Sequence, residues 1–186
     1  MTNNNICSLK KELRAKAKSV RKELDMDGLS SLVCENFKKS DFYKKANEIF
    51  VYHSYKDEVS TISLFDDSSK KWSIPYTKGG EMWASRYEED LLVENKLGIK
   101  EISGFAKITD NDIEIIVLPA LMVDKNGIRL GYGKGYYDKF LSRLNNPVLK
   151  VVFVPEALFV DEIPSELHDE PCDIVVTEKQ VYYCKK

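Results

Sequence analysis

Apolar residues at Leu9, Leu13, Ala17, Val20 and Leu24 recur at the three- and four-residue spacing of one helical face. They predict a first helix, with Ser8 as its cap. A second helix is predicted from Leu29 to Phe37, and a third after Ser40. The pattern then shortens to apolar runs of strand length. Strands are predicted at Ile49 to His53, near Trp72 to Ile74, near Met82 to Ser85, and at Ile113 to Leu118. Further strands are predicted at Val148 to Val154 and Asp173 to Val176, with an edge strand at Val181 to Tyr183. A helix is expected from Ser60. Tyr137, Phe140, Leu141 and Leu144 return to helical spacing and predict another.

Some of these runs end in proline: Ile74-Pro75, Leu118-Pro119 and Val154-Pro155. Proline cannot donate to a sheet ladder, so each should mark the C-terminal end of a strand. Such ends are where open α/β sheets place their ligands. Helices and strands alternate without a linker or a repeat, which predicts one three-layer α/β/α domain over residues 1–186.

The stretch from Leu118 to Leu141 carries the chemistry. Gly131, Gly133 and Gly135 alternate along the chain, with Lys134 among them and Arg129 just before. Glycines feeding a helix N-terminus leave backbone N–H groups free for an anion, and the two cations add charge. The stretch lacks the Ser or Thr that a Walker A lysine requires. Tyr136 fills the third glycine position of a dinucleotide fingerprint. A tight turn alone needs fewer special residues than this loop contains, so a phosphate site is favoured.

Composition supports an enzyme. The chain has 186 residues, 43% hydrophobic and 31% charged, which excludes a disordered chain. Its net charge of −2 provides no global attraction to nucleic acid or anionic membrane. No apolar run has the length of a membrane span. The N-terminal residues have no apolar core of a signal peptide, so a cytoplasmic location is expected. Cys7, Cys34, Cys172 and Cys184 lack paired metal-ligand spacing and are expected to be reduced thiols. The basic run from Lys10 to Lys22 permits a nucleic-acid module as an alternative, but a pI near 5.8 opposes it.

The loop resembles the hallmark of the 5-formyltetrahydrofolate cyclo-ligases, also called methenyltetrahydrofolate synthetases. That hallmark runs from a strand and proline through Asp and Gly to R-L-G-x-G-x-G-Y-Y-D. Here it is Val117-Leu118-Pro119, Asp124, Gly127 and the unbroken Arg129 to Asp138. Weaker matches are Lys10 with Arg14, Asp57-Glu58, and His168, Asp169, Asp173 and Thr177. The resemblance covers most of the chain and sharpens the fold to a sugar-isomerase and CoA-transferase-like architecture.

It also implies roles. ATP would be bound by Lys10, Arg14, Arg129, Leu130, Gly131, Tyr132, Gly133, Lys134, Gly135, Tyr136 and Tyr137. The folate would contact His53, Glu58, Tyr132, Gly133, Lys134, Gly135 and Tyr136. Lys134, Arg129 and Tyr136 would be catalytic, and Asp138 with Asp173 would hold Mg²⁺. Relatives tend to place an arginine after the first strand-proline pair; Lys78 stands in for it here. The implied reaction is ATP-dependent closure of 5-formyltetrahydrofolate to 5,10-methenyltetrahydrofolate by a monomer with small-molecule partners. A paralogue that keeps the phosphate loop but has lost folate is the alternative.

On a helix turning about 100° per residue, Lys10, Arg14 and Arg21 fall within roughly 40° of one another. That stripe borders the apolar face. Lys11, Lys16 and Lys22 are expected on the outer face.

Overall fold

The computed structural model describes residues 3–94, 98, 100–106, 108–166 and 169–185. Helix α1 spans Asn3–Lys22. It starts before Ser8, which lies inside the helix rather than capping it, because no proline or glycine in residues 3–7 stops its propagation. Helix α2, Met26–Lys39, begins where the Asp25 side chain accepts the Gly28 N–H at 3.2 Å. Ser40 ends α2 and caps α3, Asp41–Lys45, accepting the Tyr43 N–H at 3.3 Å.

The strands are β1 Glu48–Val51, β2 Lys71–Lys78, β3 Glu81–Arg86, β4 Leu92–Glu94, β5 Lys100–Ile102 and β6 Ile115–Leu118. They continue as β7 Met122–Asp124, β8 Arg129–Leu130, β9 Leu149–Phe153, β10 Phe159–Val160, β11 Ile174–Val176 and β12 Val181–Tyr183. The main sheet has the order β12-β11-β9-β6-β1-β2-β3. Its inner pairs are parallel, and β12 and β3 are antiparallel edges. Strands β10-β7-β8 and β4-β5 form smaller sheets.

Alternation along the central strands builds a core on each face. Phe50, Ile116, Leu118, Val152 and Val175 join Ala17 of α1 and Phe140 on one side. Ile49, Val51, Ile115, Val117, Val151, Phe153, Ile174 and Val176 join Val33 and Phe37 of α2 and Tyr43 of α3 on the other. Phe50 stacks on Phe140 with centroids 5.1 Å apart, and Phe37 meets Phe153 edge-on at 5.0 Å. Truncating any of these fully buried rings to alanine costs about 3–5 kcal/mol. A mostly parallel sheet between helical layers is the α/β architecture expected from the sequence.

Several local expectations need correction. Pro75 does not end β2, which runs on to Lys78 and returns through Gly79-Gly80 into β3. The parallel ladder with β1 stops at Ser73, so beyond it β2 needs partners only on its β3 side, where Pro75 faces Ala84. Proline therefore marks the end of the ladder, not of the strand. The helix expected from Ser60 is one 3-10 turn, Ile62–Leu64. Its approach is tied to the surroundings: Ser60 N–H donates to Ser30 Oγ at 2.8 Å and Thr61 Oγ1 donates to Tyr52 O at 2.7 Å. Helix α4 is Tyr136–Leu141 and stops short of Leu144, ahead of Asn145-Asn146-Pro147.

Candidate active site

The chain from β6 to α4 is shaped to present one loop. After β6, strands β7 and β8 form a hairpin whose turn is organised by Asp124, 1% exposed. Its Oδ1 accepts the N–H groups of Asn126 and Ile128 at 2.9 Å each, and its Oδ2 accepts that of Ile163 at 2.9 Å. Gly127 sits in this turn at φ 85, packed so closely on Cys172 that a Cβ would lie 2.3 Å from its carbonyl oxygen. The hairpin delivers Arg129, whose Nη2 donates to Asp138 Oδ1 at 2.6 Å across the base of the glycine loop.

Gly133 and Gly135 occupy left-handed backbone, at φ 91 and φ 68, where a side chain is strained. Gly131 is not in that region, and a Cβ there or at Gly135 would meet no protein atom within 4 Å. These positions open directly into a cleft of about 960 Å³. Arg14 lies beneath the loop, its Nε donating to Gly131 O at 2.9 Å and its guanidinium 3.4 Å from where a Cβ of Gly133 would stand.

Lys10, one helical turn earlier, is 8% exposed and bridges Glu166 at 3.0 Å and Asp169 at 2.7 Å. Burial disfavours its charge, but the two carboxylates outweigh that effect and hold the ammonium above its usual range. Lys134 is exposed on the cleft wall. The loop and the cations Arg14 and Lys134 line one wall of the cleft, with Lys10 and Arg129 held beside them by carboxylates.

The opposite wall comes from the segment after β1. Glu58 Oε2 accepts the Tyr55 N–H at 2.9 Å. Burial pushes its carboxyl up to about 7, while the Tyr55 N–H, Arg21 and the Tyr132 hydroxyl pull the other way. Tyr132 itself is driven upward by burial and by Glu58, so it is a neutral donor across the cleft. His53 stacks on Phe65 with centroids 5.9 Å apart, and burial lowers its pKa, leaving a neutral ring.

Every sequence-predicted nucleotide and folate residue lines this cleft: Lys10, Arg14, His53, Glu58 and the whole of Arg129 to Tyr137. Leu130 does so from a side chain embedded in the core, 1% exposed. Asp138 is on the wall as well. Asp173 is not. It lines a separate groove of about 720 Å³ behind α4, where its Oδ2 accepts the Lys150 N–H at 2.9 Å. No cluster of three or more metal-binding side chains occurs among the described residues. Lys78 is exposed at the end of β2 and does not line the cleft. His168, Leu97 and Ile99 lie outside the described residues.

The sequence missed other wall residues. Lys18 and Lys22 line the cleft although Lys22 was expected on the outer face; they lie roughly 80° and 120° from Lys10 around the helix, so the cleft-facing stripe is broader than Lys10 and Arg14 suggest. Pro75, Thr77 and Met82 enter from the β2–β3 hairpin. Arg21 does not touch the cleft; it is 2% exposed and donates to Asp57 O, Ala120 O and Leu121 O behind the wall.

Known proteins resemble this chain in sequence and fold. The chain is 31% identical over 177 residues to a probable 5-formyltetrahydrofolate cyclo-ligase of Schizosaccharomyces pombe, covering 84% of this chain and 87% of that one. It superposes on the Aquifex aeolicus 5,10-methenyltetrahydrofolate synthetase with a TM-score of 0.85 and 32% identity, covering 96% and 94% of the two chains. A Mycoplasma pneumoniae 5,10-methenyltetrahydrofolate synthetase, at 18% identity and a TM-score of 0.72 over 91% of this chain and 98% of that one, shares the fold. The sequence model of the 5-formyltetrahydrofolate cyclo-ligase family matches residues 3–178, and the chain therefore belongs to that family.

Proposed function

We propose that the protein converts 5-formyltetrahydrofolate to 5,10-methenyltetrahydrofolate at the expense of ATP. The observation that carries this reading is the convergence, in one cleft, of the glycine loop braced by Arg14 and the partly neutralised Glu58 facing it through Tyr132. One side suits phosphate and the other suits a neutral, hydrogen-bonding heterocycle.

The N5-formyl oxygen is a poor leaving group, and ATP supplies the phosphoryl group that activates it. The protein's task is then positioning and charge neutralisation. Lys10, Arg14, Arg129 and Lys134, with the N–H groups from Gly131 to Gly135, would hold the phosphates. The half-exposed Tyr132 and the Tyr136 ring would pack on the folate, and Glu58 would accept its N–H groups. Attack by N10 on the formyl carbon closes the ring as phosphate leaves, which requires no protein nucleophile.

Asp138 has the hard oxygen donors suited to Mg²⁺, and one or two carboxylates with phosphate oxygens suffice for that ion. It would hold the metal on the cleft side; Asp173, expected as the second carboxylate, opens instead on the separate groove and is bound to the Lys150 N–H. We further read residues 1–186 as one domain of sugar-isomerase and CoA-transferase-like architecture, working as a cytoplasmic monomer. No described helix is long and apolar enough to cross a membrane.

The test mixes purified protein with 5-formyltetrahydrofolate and Mg-ATP and follows the near-ultraviolet absorbance of the conjugated methenyl product. Absorbance that needs both substrates, and is lost in Lys134→Ala, is expected. Protein that binds ATP but forms no such product would leave a paralogue without folate activity.

A further inference from the structure

Arg21 heads the fully buried side chains by size, yet the cleft chemistry makes no direct use of it. Its guanidinium lies behind the cleft wall where two segments leave neighbouring central strands. Nη1 donates to Asp57 O in the segment after β1. Nη2 donates to Ala120 O at 2.6 Å and Leu121 O at 3.3 Å in the segment after β6. Nε is buried with no hydrogen-bond partner. A guanidinium cannot escape burial by losing its proton, so a full positive charge is held in the interior. An incompletely satisfied buried cation is costly unless a nearby group profits from its field.

The group that profits is Glu58, next in sequence to one of the carbonyls Arg21 holds. We propose that Arg21 is a positioning residue that fixes the Glu58 loop to the segment after β6 and supplies a buried positive charge that favours the ionised form of Glu58 against its burial. Naming folate as the ligand so positioned rests on the cyclo-ligase reading; the coupling between the two side chains does not.

The surroundings of Glu58 support the assignment. Tyr52 at the end of β1, Tyr132 in the glycine loop and Tyr137 in α4 all sense Glu58, and burial keeps all of them neutral. Asp57, in its own loop, opposes ionisation. Arg21, reaching in from α1, is the cation that favours it. A purely mechanical tie between carbonyls could be made by neutral donors, whereas Arg21 brings a charge as well.

The experiment compares wild type with Arg21→Gln and Glu58→Gln. Binding of 5-formyltetrahydrofolate is measured across pH, and the Glu58 carboxyl carbon is titrated by NMR without ligand. Wild-type affinity should rise with pH through a midpoint near 7. In Arg21→Gln the midpoint, and the carboxyl titration with it, should move up by about one unit or more. Affinity at pH 7 should then fall about fivefold, approaching about tenfold at lower pH, and Glu58→Gln should remove the pH limb. A folded Arg21→Gln protein with an unmoved carboxyl titration overturns the proposal and leaves Arg21 a structural tie.

If Arg21→Gln does not fold, the wild-type Arg21 Nε resonance decides. It should titrate with the Glu58 midpoint and lose that inflection in Glu58→Gln; independent behaviour overturns the coupling. Wild-type protein that ignores folate while the two signals titrate together refutes the cyclo-ligase reading and upholds the coupling.

Discussion

Arg14 Nε donates to the carbonyl of Gly131 at 2.9 Å, so a cation of the first helix braces a loop more than a hundred residues away. The bond orients the loop carbonyl downward onto the guanidinium, leaving the neighbouring N–H groups to the cleft. Gly131 then offers a clean test of ligand approach. Its backbone is not left-handed and a Cβ would meet nothing within 4 Å. Gly131→Ala should change unfolding free energy by no more than about 0.5 kcal/mol. It should weaken ATP binding at least about tenfold, equivalent to 1.4 kcal/mol, as read by calorimetry. Unchanged ATP affinity would place the nucleotide elsewhere.

Gly127 tests the scaffold rather than the ligand. Its φ of 85 and a Cβ position 2.3 Å from Cys172 O combine strain with a backbone clash. Gly127→Ala should cost at least about 2 kcal/mol of stability. Gly79→Ala, at φ 60 but in open space, should cost about 1 kcal/mol. Urea denaturation of the two variants compares them directly.

Glu58 makes stability depend on pH. Its folded carboxyl, at about 7, sits above the ordinary value of 4.5. The folded state therefore holds its proton more tightly than the unfolded chain. The contribution is fully present below pH 4.5 and is lost as pH rises through about 7. Glu58→Gln should remove this loss and stabilise the protein above neutrality by roughly 1–3 kcal/mol, with little effect at acid pH. Melts at acid and alkaline pH would show it; equal shifts at both would refute the raised carboxyl.

The Arg129–Asp138 pair separates structural from metal roles. Arg129 is 6% exposed at its side chain and Asp138 30%. Asp138→Asn leaves a buried guanidinium without its counterion and should cost about 1–3 kcal/mol, below the full range for buried pairs because Asp138 is partly solvated. If the aspartate also binds Mg²⁺, the variant should lose the metal's enhancement of ATP affinity, and Arg129→Met should retain part of it. Equal metal dependence in wild type and Asp138→Asn would assign Asp138 to the ion pair alone.

Glycine, proline and alternation made much of this legible from sequence. Gly133 and Gly135 announce backbone angles that other residues resist, and Ile115 to Leu118 reads as a strand buried on both faces. Less visible were features set by partners distant in sequence. The segment after Ser60 has helical spacing but is held by Tyr52 and Ser30, so it makes a single turn. Pro75 could be placed correctly only with the end of β1 known. Arg21 looked like Lys10 and Arg14 on the helical wheel, yet its place about two turns beyond Arg14 along α1 sets the guanidinium on carbonyls at Asp57 and Ala120 behind the cleft wall. Asp173 lies apart from Asp138 because its groove is lined by Leu141 and Leu144 at and beyond the end of α4, whereas Asp138 stands in the first turn, on the cleft.

Lys10 meets Asp169 across 159 positions of sequence, and Arg14 meets Gly131 across 117. The cleft therefore has a very high contact order and cannot form from any local fragment. It is assembled only when the early helix finds the late loops, among the slower events in folding. Ligand affinity thus reports completion of the whole fold: a compact intermediate with an intact sheet but an undocked first helix should be blind to nucleotide. By mass action, each bound ligand draws the chain past that intermediate.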